Sequence, residues 1–190
     1  MRINKASIQI VTFLSFAFTF AQSPNDIDKY LEKKYAREAP ISMGSCFYTS
    51  EELPKVYNDA VLKKALPDIM MYTFTVKEKG CYGAQSRIGI ILIRKGKIIE
   101  QLGLWNIGLD QNFNPEFIDI FKEVKLKKSS DFNAYINSVA KLLFSTYYQN
   151  DFELNEKNDI FQTFYSKGNG SIKFEFLSNQ ITNVKYIMSF

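Results

Sequence analysis

The sequence predicts an α+β protein in which helices pack on an antiparallel sheet of about six strands. Two observations lead to this fold class. Four segments repeat apolar residues at helical spacing, and six segments rich in β-branched and aromatic residues are bounded by turn residues. The segments follow one another in the order helices, three strands, helices, three strands. This order suggests a doubled unit, but residues 50–66 aligned on 129–145 share almost no identity, so no sequence repeat is claimed.

The N-terminal segment has the pattern of a secretory signal peptide. Arg2 and Lys5 give a cationic start, an apolar run covers 8–20, and a small residue, Ala21, precedes the proposed cut. The run is shorter than the roughly 20 residues that span a bilayer, so a retained anchor is the less favoured alternative. We expect residues 1–21 to be removed and the protein to be periplasmic or extracellular. The remaining residues, 22–190, are long enough for a single globular α+β domain.

The first two helices are predicted from caps and spacing. Ser23 is a good N-cap and Pro24 suits the first helical position, so a helix should run from there to about residue 36. The second helix should cover roughly 51–66, where apolar residues share one face. Pro54 would cost that helix a hydrogen bond, so a start at residue 53 or later remains an alternative.

The third and fourth helices have clearer signals. Asn114 followed by Pro115 predicts the start of a short third helix. Ser130 or Asp131 is expected to cap the fourth helix. Its continuous apolar stripe comprises Phe132, Tyr135, Ile136, Val139, Ala140 and Leu143.

The six strands are predicted from composition and turns. They should cover residues 69–77, 87–94, 97–107, 160–165, 172–177 and 181–188. Lys95 and Gly96 have the pattern of a tight hairpin turn, and further turn residues separate the last three strands. Strict alternation over 172–176 predicts one face in water.

The hairpin around Lys95 and Gly96 is apolar on both faces. A two-residue turn sets Ile91 opposite Glu100 and Gly89 opposite Leu102. Because an antiparallel sheet normally leaves one face wet, both faces of this hairpin need a cover. We expect the helices to provide it, with a partner protein or an apolar ligand as the alternatives. The two faces carry Ile91, Ile93, Ile98, Glu100 and Leu102 on one side, and Ile88, Ile90, Leu92, Ile99 and Trp105 on the other.

The composition excludes several chemistries. The chain contains no histidine, which removes Ser-His and Cys-His nucleophile pairs and most zinc and copper sites. Without Arg2 and Lys5 of the leader, 22 basic residues stand against 20 acidic ones, a net charge of +2. This balance does not indicate a nucleic acid or an anionic membrane surface as partner.

The two cysteines predict a disulfide. Cys46 and Cys81 both fall in the part expected to be exported, where paired thiols are favoured. Their bond would close a loop of about 36 residues and stabilise the fold by about 4 kcal/mol in the chain-entropy model. The expected route is a helix after Cys46 that packs antiparallel to the strand before Cys81. Two buried free thiols are the alternative, and no histidine is present to favour a reactive thiolate.

Glu100 is the best candidate for a catalytic residue in this sequence, and it is a weak one. A carboxylate on an apolar face suggests a general acid in a cleft, although an edge residue that turns to solvent is the simpler interpretation. No second carboxylate can be placed beside it, so a glycosidase pair is not supported. Residues 110–114 imitate half of a calcium loop, but Pro115 replaces the required glycine, and we predict no metal site. The acidic stretch 151–159 is expected to be a solvated connector.

These observations favour an exported, non-catalytic binding or interaction protein without a cofactor. The alternatives are a carrier of an apolar small molecule and a small carboxylate-dependent hydrolase. Expected partners are another protein or an apolar small molecule, with no nucleic acid and no membrane span after signal cleavage. The abundance of Lys, Asn, Ile and Phe and the scarcity of Arg are typical of an AT-rich bacterium.

Overall fold

The computed structural model describes residues 23–37, 45–48, 53–80, 83–103, 113–145, 152–166 and 170–188. Those residues form four helices and nine strands. The helices are α1 (Pro24–Arg37), α2 (Ala60–Ala65), α3 (Pro115–Lys122) and α4 (Ser129–Phe144). The strands are β1 (Ser45–Tyr48), β2 (Lys55–Val56), β3 (Ile69–Gly80), β4 (Gly83–Arg94), β5 (Lys97–Leu102), β6 (Phe152–Lys157), β7 (Phe161–Ser166), β8 (Gly170–Leu177) and β9 (Gln180–Met188).

The strands form two antiparallel sheets. Sheet A has the order β1-β3-β4-β5, with β2 also paired to β3, and sheet B has the order β6-β7-β8-β9. The α+β class and the antiparallel pairing are confirmed, but the prediction of one sheet of about six strands was wrong. Three strands were missed, and the last three predicted strands belong to a separate sheet. Strands β1, β2 and β6 are short, with 4, 2 and 6 residues, and lack a long apolar alternation.

A central core joins the two sheets through the helices. It contains buried side chains from the inner face of sheet A, from α2, α3 and α4, and from sheet B. Helix α3 contacts both β5 and β9, and the buried Tyr135 hydroxyl of α4 donates a hydrogen bond of 3.0 Å to the carbonyl of Phe121. Burial raises the pKa of Tyr135 far above its ordinary value, as expected for a phenol in an apolar site.

A second group of buried residues lies on the opposite face of sheet A. We call it the outer cluster, and in it α1 packs on β3 and β4. It comprises Ile27, Leu31, Tyr35, Tyr72, Phe74, Val76, Ile91 and Ile93. In the described part of the predicted hairpin, both apolar faces are therefore covered by helices of the same chain. Trp105 lies outside the described residues. The predicted register is also confirmed, since Ile91 lies opposite Glu100 and Gly89 opposite Leu102.

The second helix is shorter than predicted. Lys55 pairs with Thr73 and Val56 with Tyr72 of β3, forming strand β2, so the predicted helix over 51–66 was wrong in its first half. The helix starts after Asp59, whose Oδ1 accepts hydrogen bonds of 2.9 Å from the backbone N–H groups of the second and third helical residues. Such an N-cap satisfies donors that have no partner inside the helix. Residues 51 and 52 lie outside the described residues.

The other helices begin where local chemistry favours them. Ser23 caps α1 as predicted, because its hydroxyl accepts a bond of 3.3 Å from the backbone N–H of Asp26. The Ser23 hydroxyl and backbone N–H in turn donate to the Asp26 carboxylate. Asn114 caps α3 by accepting a 3.0 Å bond from the N–H of Glu116. Helix α4 starts at Ser129, one turn before its buried stripe, and Lys128 occupies the N-cap position without a side-chain bond. The expected cap at Ser130 or Asp131 therefore lies inside the helix.

Sheet B has one wet face, as the alternation predicted. On this face Lys173 lies 4.1 Å from the ring centroid of Phe161, and Lys185 pairs with Glu175 at 3.1 Å. The acidic stretch 151–159 is not a simple connector, because most of it forms the edge strand β6. Its Glu153 and Glu156 are nevertheless exposed. None of the helices within the described ranges is sufficiently long and apolar to cross a membrane.

Candidate functional site

Glu100 lies on the face of sheet A that α1 covers. Strand β5 carries it, and the alternation of that strand directs the side chain toward the outer cluster. Only 9% of its side chain is exposed. The simpler interpretation of the sequence, in which this carboxylate turns to solvent, is therefore wrong.

Two residues of α1 hold this carboxylate. Lys34 donates from Nζ to Oε2 at 3.0 Å, and the buried Tyr35 hydroxyl donates to Oε1. The Lys34 ammonium also lies 5.4 Å from the centroid of the Tyr35 ring. Charge-assisted bonds of this kind are stronger than neutral ones. The cluster of Lys34, Tyr35 and Glu100 thus ties α1 to β5 at one end of the helix.

The arrangement does not suit Glu100 to acid catalysis. Both of its oxygens accept hydrogen bonds from α1 and only 9% of its side chain is exposed, so little of the carboxylate is accessible to a substrate. The groups bonded to Glu100 are a cation and a phenol. Removal of Lys34 or Tyr35 would leave the Glu100 carboxylate buried without that partner, which is strongly unfavourable because the charge has also lost its contact with water.

The backbone around Glu100 is fixed from the other side by the start of α3. Asn114 donates from its side-chain amide to the carbonyl of Glu100 at 3.1 Å, and its backbone N–H donates to Oε1 of Gln101 at 2.6 Å. Gln101 is a buried polar residue with 6% exposure. Asn114 therefore acts as a helix cap and a strand anchor. Residues 110–112 of the calcium-like stretch lie outside the described residues.

Arg94 is a surface residue that the sequence did not single out. Its guanidinium bonds Asp68 at 2.9 Å and Glu123 at 2.6 Å, and so links the ends of β3 and β4 to the end of α3. Arg94 lowers the pKa of Asp68 through the hydrogen bond. The three side chains are 34–52% exposed, where such pairs contribute little to stability.

Two buried polar atoms have no hydrogen-bond partner among the described residues. They are the hydroxyl of Tyr57 and Oε1 of Gln162. Burial, and secondarily the charge of Asp59, raises the pKa of Tyr57 to about 12. Gln162 lies on the core face of β7 and is 2% exposed. Unpartnered buried atoms of this kind are typical sites for ordered water.

The two cysteines cannot be compared directly, since Cys81 lies outside the described residues. Cys46 is in β1, and its Cα pairs with that of Glu78, three residues before Cys81 in the sequence. The residues directly after Cys46 belong to β1, so the chain does not enter a helix immediately after Cys46 as expected. The disulfide itself stays a prediction.

We expect a titration of unreduced, denatured protein to find no free thiol if Cys46 and Cys81 are bonded. Replacing both with Ala should then lower the free energy of unfolding by up to about 4 kcal/mol in the chain-entropy model. The reduced wild-type protein is the matched control, and it should lose the same stability. Two reactive thiols per chain would contradict the bond.

Among the residues that the structure describes, no group of three or more Cys, Asp or Glu side chains is placed so that it could hold a metal ion. A comparison of the chain with protein-family models, curated proteins and solved structures finds no match.

Proposed function

We propose that this chain is an exported, non-catalytic protein that binds another protein. The observation that carries the proposal is the state of Glu100, the one residue that the sequence offered for catalysis. Both of its carboxylate oxygens are bonded to α1, so its chemistry serves attachment of a helix. The absence of histidine from the sequence supports the same interpretation.

The hydrolase and carrier alternatives are less well supported. A hydrolase that depends on Glu100 would need this carboxyl group within reach of a substrate, whereas only 9% of its side chain is exposed. A carrier needs space between its layers, and in the central core Phe144, Phe152, Phe164 and Phe174 follow one another with centroid separations of 5.1–5.6 Å. These are ordinary ring contacts, so aromatic side chains fill this part of the interior.

Binding is tested by photo-crosslinking in the host. Ile160 and Leu177 are 64% and 68% exposed, and the N–H of Phe176 donates to the carbonyl of Ile160 at 2.9 Å, so the two are close together. A photoreactive amino acid at either position should give a discrete adduct with one exported protein, competed by unlabelled chain. The same group at exposed Lys141 of α4 is the control. Loss of glycan or peptide hydrolysis in a Glu100→Gln variant, or a small-molecule cargo in native mass spectrometry, would contradict the proposal.

Export is tested by the intact mass. We expect protein from the periplasm or the medium to begin at Gln22 or Ser23, because the cationic start, the short apolar run and the small residue before the cut favour signal cleavage. Protein made without export machinery is the control and should retain residues 1–21. A mass that includes those residues in the exported fraction would contradict cleavage.

A further inference from the structure

Two exposed aliphatic side chains lie close together at one end of sheet B. Ile160 and Leu177 are 64% and 68% exposed, and the hydrogen bond from the N–H of Phe176 to the carbonyl of Ile160 joins their segments. We call them the apolar pair. Apolar side chains that are exposed singly are ordinary, whereas contiguous ones with a polar rim indicate a contact surface.

A lysine-rich segment is fixed to the same end of sheet B. We call residues 125–128 the basic loop. The N–H of its Leu126 donates to the carbonyl of Asn179 at 3.2 Å, and Lys125 forms a β-bridge with Gln180. Leu177 pairs with Gln180 across the turn between β8 and β9. Because paired chains lie about 5 Å apart, the Cα of Lys125 is about 10 Å from that of Leu177, so one partner can contact both surfaces.

The positive charge of the basic loop is not neutralised within the described part of the chain. The loop contains Lys125, Lys127 and Lys128, all exposed. None of them forms an ion pair with a described residue, whereas the nearby Lys122 pairs with Asp119 at 2.8 Å. Asp131 and Asp159, which adjoin the loop and the apolar pair in sequence, are outnumbered by the loop lysines and Lys157. This end of sheet B therefore carries a surplus of positive charge, which complements an acidic surface.

We propose that the apolar pair and the basic loop form one docking surface, and that its partner is a protein that presents an apolar side chain flanked by Asp or Glu. The inference rests on the proposed binding function and names the chemistry of the partner. The apolar pair supplies the desolvated centre of the contact, and the basic loop supplies its charged rim. Charges at such a rim select the partner and speed the encounter.

The size of the two surfaces favours a protein over an anionic membrane. The side chains of Ile160 and Leu177 together contain fewer carbon atoms than one myristoyl chain, and one such chain gives only marginal, reversible membrane binding. Each lysine near an anionic membrane surface adds about 1 kcal/mol. The basic loop brings three of them, fewer than the clusters of about 4–8 that are typical of anionic lipid recognition.

The first measurement selects binders from a random peptide library displayed on phage, with the purified mature protein as the target. Enriched peptides should contain Asp or Glu on both sides of an aliphatic or aromatic residue. Their affinity should fall at least about tenfold when the three loop lysines are changed to Glu, and also in Leu177→Ala. It should also fall as salt is raised, because exposed charges are screened. Enriched peptides without acidic residues would overturn the proposal.

A matched variant controls for net charge. Lys33→Glu, Lys63→Glu and Lys64→Glu place the same charge change on exposed positions of α1 and α2 and should leave peptide affinity within about twofold of wild type. Replacing the loop lysines with Gln removes their charge without adding repulsion, and decides the question if the Glu variant fails to fold. Equal loss of affinity in the loop and matched variants would overturn the proposal, because the effect would then be one of total charge.

The second measurement repeats the photo-crosslinking at Leu177 in the host. The adduct should be lost when the loop lysines are changed to Glu and kept in the matched variant, and the crosslinked peptide of the partner should be acidic. Sedimentation of the mature protein with vesicles of phosphatidylcholine and phosphatidylglycerol in equal amounts, with no adduct dependent on the basic loop, would overturn the proposal in favour of a membrane. If the adduct persists in the loop variant, this inference fails and the binding function stands.

Discussion

Replacing Phe164 with Ala is expected to lower the free energy of unfolding by about 3–5 kcal/mol. The ring is 1% exposed and lies edge-on to Phe152 and Phe174 at centroid distances of 5.4 and 5.6 Å. It stands on β7 in the interior of sheet B, so its removal leaves a cavity that neighbouring strands can fill only in part. Urea denaturation followed by circular dichroism measures the loss.

Leu177→Ala is the control for this prediction. Its side chain is 68% exposed, and substitutions at such positions usually change stability by less than about 0.5 kcal/mol. The unfolding slope should stay the same in both variants, so that the midpoints can be compared. If the Phe164→Ala protein were as stable as the control, Phe164 would not be packed between Phe152 and Phe174 as described.

The second large effect is expected for Gly89→Ala, which should destabilise the protein by about 1–3 kcal/mol through overpacking. At a strand position with room for a methyl group, the same change would stabilise the protein slightly, because glycine gives the unfolded chain more conformational entropy than alanine does. At this position an added Cβ would lie 2.2–2.9 Å from three ring carbons of Phe74. The ring is 3% exposed and faces Tyr35 of α1 at 6.4 Å. It can move only by disturbing the contact with α1.

A double-mutant cycle with Phe74→Leu checks the cause. The smaller side chain should accept the methyl group, so the double variant should be more stable than the sum of the single changes predicts by about 0.5–3 kcal/mol. Hydrogen exchange should also show faster opening of α1 in Gly89→Ala than in wild type. Additive effects of the two substitutions would show that the clash with Phe74 is not the source of the loss.

The sequence predicted the elements that local chemistry defines. Lys95 and Gly96 have φ angles of 50° and 78°, the left-handed pair that a two-residue hairpin turn requires, and this turn sets the whole register of β4 and β5. The starts of α1 and α3 follow from Ser23 and Asn114, whose side chains bond backbone groups within three residues. Such signals are contained in short windows of sequence.

What the sequence did not predict depends on distant partners. Strand β2 has only two residues, and they form a strand because they pair with β3. The division into two sheets depends on where the helices pack, which no short window contains. For Glu100 the face was predicted correctly, but its partners Lys34 and Tyr35 are 66 and 65 residues away. The role of this residue therefore required the tertiary structure.

The arrangement of strands has a consequence for the order of folding. Each sheet is formed by its own stretch of the chain, although β1 pairs with β3 and not with β2. In the described residues sheet A is complete at residue 102, while sheet B begins at residue 152. A chain that emerges N-terminus first can build sheet A from local hairpins and cover its outer face with α1. The inner face, with Met71, Ile90 and Leu92, must wait for α3, α4 and sheet B. During this interval an apolar surface of the nascent chain is open to aggregation.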